Sequence, residues 1–207
     1  MKTWNNFFDL LSPHVPGCPQ AAQTIALRQA AIAFCEQSLA WRYAHPEILV
    51  LSDTAKYFFD PPEGATVHAV TYAEFNDKQI EVSTMEHEIK IWNWRNVSGI
   101  PEYVLGGPIS FTLVPKPDLS GTLKVRVVLK PSQGSAGIDD DIFNEYHEAI
   151  EHGALARLML SPKKPYTDAV LANYHAQMFL IQTARAGVRE AKSYNRSPLR
   201  TSIMRRR

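Results

Sequence analysis

Residues 138–160 read IDDDIFNEYHEAIEHGALARLML, and the interpretation of HEAIEH at 147–152 governs how the rest of the chain is understood. His147, His152, Glu145, Glu148 and Glu151 fall within eight residues, a ligand density suited to a zinc or di-iron helix. Spacing argues against both. A zincin helix sets its histidines four apart, because about 100° per residue then brings both rings to one face. His147 and His152 are five apart, which turns the second ring roughly 140° from the first. The di-iron pattern needs Glu three residues before His, and those positions hold Asn144 and Ala149. What remains is an amphipathic helix in which Ile142, Phe143, Tyr146, Ile150, Ala154, Leu155 and Leu158 recur at steps of three and four. Asp139 to Asp141 suit its start, where side-chain oxygens cap free amides and negative charge meets the positive end of the helix dipole.

Outward from this helix the chain divides into regions of different period. Towards the C-terminus a SPKKP connector at 161–165 precedes a second helix over about 167–192, with Leu171, Tyr174, Met178, Ile181, Ala184 and Val188 as an apolar stripe. That stripe reads as core or helix interface. At the other end, Trp4, Phe7, Phe8 and Leu11 form one stripe of a short helix, and SPHVPGCP breaks the chain. The alanine-rich run from Gln20 to about Ala40 is a longer helix carrying an Ile25, Ile32, Leu39 series and an Ala31, Phe34, Ser38 series. Between these ends lie seven short runs rich in β-branched and aromatic residues: ILVL, KYFF, TVHAVTYAEF, KQIEVS, HEIKIW, ISFTLV and GTLKVRVVLK. No helical stretch separates them, which favours an antiparallel sandwich or barrel over a parallel sheet. The expected fold class is therefore α+β: a helical bundle formed by both ends of the chain (1–46 and 137–192), an inserted antiparallel β domain (47–136) and a basic flexible tail (193–207).

Composition is consistent with this plan. A chain of 207 residues can bury a substantial core in one domain or two small packed ones. No run of about 18 apolar residues exists, so no membrane span is expected. MKTWNNFFDLL interrupts its apolar residues with asparagines and an aspartate, unlike a signal peptide. Cys18 and Cys35 read as free thiols, and His14 with Cys18 lacks a second ligand pair. The formal charge of +1 conceals a division. Residues 193–207, SYNRSPLRTSIMRRR, hold five arginines and no acid, which leaves the first 192 residues at −4.

Catalytic signatures are missing: there is no G-x-S-x-G, Walker sequence, Rossmann glycine run or CxxC. GGP at 106–108 reads as a turn, and Asp139 to Asp141 lack the pattern of a calcium loop. No enzyme activity, metal or cofactor is expected. Two features suit binding. Trp92 and Trp94 share one face of a regular strand, a possible sugar platform, although Ile89 and Ile91 in the opposite phase favour a strand covered on both sides. A carbohydrate-binding module is thus the rival reading, and a metalloenzyme at His147, Glu148, Glu151 and His152 a third. The arginine tail suits phosphates, but with Tyr194 as its lone aromatic it is poorly equipped for stacking on single strands.

Three segments in order resemble the head-to-tail adaptors of tailed bacteriophages, of the kind called tail tubular protein A in short-tailed phages. They are ALRQAAIAFCEQSLAWRY at 26–43, PEYVLGGPISFTLVPKPDLSGTLKVRVVLKP at 101–131, and Glu145 to Ala186 with its Gly-Ala-Leu-Ala-Arg-Leu core. The resemblance implies a virion neck protein, assembled in the host cytoplasm, that forms a homo-oligomeric and usually twelvefold ring between the portal protein and the tail nozzle or tail tube. Packaged DNA would pass through its lumen without sequence-specific binding. On this reading Arg196, Arg200, Arg205, Arg206 and Arg207 order on docking to the portal or a neighbouring subunit. Trp4, Phe7, Phe8 and Leu11 either complete the bundle or pack on the next subunit.

Overall fold

A computed structural model of the chain describes residues 1–83, 89, 91 and 93–192. In chain order the elements are β1 (Lys2–Thr3), a 3-10 turn (Trp4–Phe7), α1 (Phe8–Leu11), α2 (Gln20–Ser38), β2 (Arg42–Ala44), β3 (Ile48–Val50), β4 (Lys56–Phe58), β5 (Ala65–Phe75) and β6 (Lys78–Ser83). There follow β7 (Ser98–Gly99), β8 (Tyr103–Gly106), β9 (Ser110–Val114), β10 (Lys116–Pro117), β11 (Gly121–Pro131), β12 (Gly137–Ile138), α3 (Asp140–Met159) and α4 (Ala169–Ala191). The fold is mixed α and β, with four helices among the described residues, a curled multi-stranded sheet that makes a half-barrel, and two short strand pairs, β1 with β12 and β7 with β10.

The sheet is built around the two long strands. β5 and β11 pair antiparallel along their length, with register shifts after Arg126 and Val128. Such irregularities bend a strand and increase its twist, which curls the sheet. The order is β2-β11-β5-β6-β8-β9-β4, with β3 also pairing to β11. Between β5 and β6, Asn76 and Asp77 both adopt positive φ. A two-residue hairpin turn matched to strand twist requires that conformation, and Asn and Asp tolerate it. Asn76 Oδ1 also accepts from the Thr122 amide at 2.8 Å, fastening the turn to β11.

Two features depart from the antiparallel sandwich or barrel expected. β6 and β8 run parallel, so the sheet is mixed. It is also a single curled layer rather than a sandwich or closed barrel, because the strands at its margins, β2, β3 and β4, have three residues each and offer too little ladder for closure. Arg42–Ala44, placed by sequence with the N-terminal helices, is already an edge strand. Of the expected strand HEIKIW only Ile89 and Ile91 are described, and neither is in a strand; the rest lies outside the described residues.

The helices pack on one another, and α2 also lies on β11. Gly153 makes this approach possible: a Cβ there would stand 2.7 Å from the Phe179 ring of α4 and 3.0 Å from the Ala30 methyl of α2. Helix and sheet side chains share one hydrophobic core, with Phe34, Ile150 and Leu155 in the same cluster as Phe111, Leu123 and Val127. The starts of α3 and α4 follow the capping rule, since Asp139 accepts from the Asp141 amide and Asp168 from those of Val170 and Leu171. Cys18 and Cys35 are free and buried, and burial pushes the Cys35 thiol far above its ordinary range.

Candidate assembly surfaces

Helix α4 is turned with its larger apolar side out. The face it buries consists of Ala172, His175, Phe179, Thr183, Ala186 and Glu190. The opposite side carries Leu171, Tyr174, Ile181 and Val188, which are 45%, 53%, 46% and 54% exposed. Half-buried Met178 lies between them and exposed Val170 and Leu180 beside them. Positions 171, 174, 178, 181 and 188 follow a seven-residue repeat, with Arg185 at the one place where the pattern lapses. Periodicity located the stripe but did not reveal its direction. The inner face combines the small Ala172, Thr183 and Ala186 with His175, Phe179 and Glu190, and the neighbouring helices make room for it: Gly153 meets Phe179, and Gly187 lies against Ser38. Most of the aliphatic side chains of α4 are left for solvent or another surface.

The N-terminal stripe is directed inwards. Trp4, Phe7 and Leu11 are buried in the protomer. Trp4 Nε1 donates to the Ser135 carbonyl at 2.8 Å, and Phe7 meets Phe143 edge to face at 4.9 Å between centroids. Phe8 is half-buried. Arg196, Arg200, Arg205, Arg206 and Arg207 lie outside the described residues, as does Trp92. Trp94 packs on the small cluster of Ile89, Tyr103 and Val114, with the Arg95 guanidinium 4.5 Å from its ring centroid.

Three distant segments, the β2 strand, the start of α3 and the end of α4, form an open groove of about 650 Å³. Trp41, Tyr43 and Tyr146 contribute aromatic surface, and Asp139, Asp141 and Glu145 carry negative charge. Glu190 lines it near the end of α4 and is itself buried. Its carboxylate accepts from the Tyr146 hydroxyl at 3.0 Å and lies 3.7 Å from Arg42 Nε, while its backbone oxygen accepts from Arg42 Nη2 at 2.7 Å.

HEAIEH divides as its spacing requires. His147 Nδ1 is 3.1 Å from the Phe143 carbonyl oxygen of its own helix, whereas His152 Nδ1 lies 2.7 Å from His175 Nδ1 on α4. One ring donates and the other accepts, so the pair holds together only while at least one imidazole is neutral. Among the described residues no group of three or more His, Cys, Asp or Glu is arranged to hold a metal ion. Burial lowers the pKa of both His152 and His175, and His14 and the neighbouring imidazole lower that of His175 further. Glu148, 3.9 Å from His152 Nε2, acts in the opposite sense on His152. Burial raises Glu151.

The sign of the pH effect follows. Below the ordinary histidine value of 6.5 the unfolded chain takes up protons that the folded pair resists. Stability is therefore complete above that value and declines as pH falls towards the folded-state values. Thermal melts should be flat near neutrality and lower by a few degrees at pH 5.5. The fall should be shallower in His152→Gln, and equal slopes in both proteins would exclude the pair as its cause.

An apolar helix face turned outward from a shared core is the kind of surface that marks a protein interaction site. The family model described as SU10 adaptor protein matches residues 17–202, and the chain belongs to that family. No match is found among curated proteins. The protein is accordingly a structural adaptor of the bacteriophage virion, a neck component that associates with other head and tail proteins, and the family is not an enzyme class. The matched region extends beyond α4, whereas Trp4, Phe7, Phe8 and Leu11 precede it.

Proposed function

We propose that the chain forms a closed ring, twelvefold as in tail tubular protein A of short-tailed phages, that joins the portal to the tail nozzle. The ring lines the channel through which packaged DNA passes without sequence-specific contacts. The observation that carries this reading is the outward apolar stripe of α4. A head-to-tail contact, in which one surface meets a different surface of the next copy, closes into a ring when the rotation between copies completes a full turn. A second apolar surface exists on α2, where exposed Ile25 and half-buried Ile32 stand seven residues apart and exposed Leu39 follows at the helix end.

In this reading the helices from both ends of the chain, 1–46 and 137–192, act as one bundle, and the inserted strands at 47–136 form the second body of the subunit. Phe8 adds to the contact at the edge of the core that Trp4, Phe7 and Leu11 complete. The arginines at 196, 200 and 205–207 serve the portal or the neighbouring copy once the neck assembles in the host cytoplasm.

Native mass spectrometry of the chain mixed with the portal protein of the same genome, each alone as control, tests the proposal. The expected species carries a ring's worth of copies per portal. Failure to associate, with the chain monomeric at high concentration, overturns it.

A further inference from the structure

The groove between β2 and the start of α3 lies where the chain leaves its last helix. Glu190, held by Tyr146 and Arg42, lines the groove two residues before Lys192. The fifteen residues that follow Lys192 contain five arginines and no acid. Fully extended, they span about 50 Å, several times what is needed to turn back along the groove.

We propose that in the free protomer the chain's own C-terminal segment, residues 193–207, docks in this groove, with Arg196 and Arg200 drawn to Asp139, Asp141 and Glu145. The occupant is set by charge and by tether. Glu145 already pairs with Arg189 at 2.7 Å, whereas Asp141 has no cationic partner among the described residues. Arginine suits this lining because its planar guanidinium pairs with carboxylates and stacks on aromatic faces such as that of half-buried Tyr43. The Ser-rich sequence, with a single proline at Pro198, is too polar to form a core of its own. Covalent attachment at the groove keeps the local concentration of the segment high, so weak individual pairs suffice. This docking concerns the isolated chain and does not depend on ring formation.

Photo-crosslinking of the full chain tests it, with p-benzoylphenylalanine at Leu199 and irradiation of dilute protein. Crosslinks within one chain to residues 40–43 or 139–146 are expected. Their yield should fall about fivefold in Asp141→Asn with Glu145→Gln, two exposed pairs being lost. The unaltered chain should lose crosslinks likewise when salt is raised to about 0.5 M. Crosslinks scattered over other surfaces, or a yield insensitive to both charge and salt, would overturn the proposal. Crosslinks between chains would assign the groove to a neighbour's segment and overturn it equally. Each outcome is independent of whether the chain assembles on a portal.

Discussion

If copies associate through α4 as proposed, replacing Ile181 by aspartate should abolish that association while leaving the melting temperature of the protomer almost unchanged. Ile181 stands in the middle of the outward stripe of α4 and is about half exposed. In the free protomer a carboxylate there stays hydrated, and surface substitutions of this kind shift stability by about 0.5 kcal/mol or less. Between copies the same carboxylate would be stripped of water with no partner supplied, a cost of several kcal/mol. It would also remove an apolar side chain worth about 1.5–3 kcal/mol when fully buried. Sedimentation velocity with a parallel thermal melt separates the two effects. Ala186→Asp, on the buried face of the same helix, is the contrasting control and should unfold the protomer. Undiminished association of Ile181→Asp would exclude α4 as the contact, and a collapse of its melting temperature would make the stripe part of the protomer's own fold.

The second large effect is internal. Gly153→Leu should destabilise the chain by about 3 kcal/mol or more, since overpacking of a tight core commonly costs 1–3 and here even the first added carbon is obstructed. That carbon would stand 2.7 Å from the Phe179 ring and 3.0 Å from Ala30. The alanine variant isolates the cause. On an exposed helix, Gly to Ala gains about 1 kcal/mol. At Gly153 the clash should reverse that sign, and shortening the opposing ring through Phe179→Leu should recover part of the loss, as for residues in direct contact. Urea midpoints of the single and double variants decide the point. Gly153→Ala more stable than the parent by about 1 kcal/mol would show that α2 and α4 can move away from α3 at no cost.

How much of this was legible in sequence varies with the range of the pattern. Three- and four-residue periodicity located α3 and α4 to within two residues, and β5, β6, β9 and β11 lie where β-branched residues cluster. Elements whose identity depends on partners were not legible. Arg42–Ala44 is a strand because β11 runs beside it, and the parallel pairing of β6 with β8 has no local signature. The direction of α4 was hidden for a related reason. A stripe with Leu171, Tyr174 and Ile181 reads equally as core or as helix interface until Gly153 is known to accept the Phe179 side of the helix instead. Among surfaces, the groove joins residues near 40, 140 and 190, and the pairing of His152 with His175 crosses 23 positions. Spacing within one helix was enough to set aside a metal at HEAIEH, and for that reason it gave no view of the neighbour that His152 does have.

Glu190 has a mechanical consequence. Its carboxylate and backbone oxygen clamp the last turn of α4 to Tyr146 on α3 and to Arg42 on β2. A push delivered to the outward side of α4 therefore meets a brace at the helix end and is carried into the sheet, so that helix and sheet yield as one stiff lever.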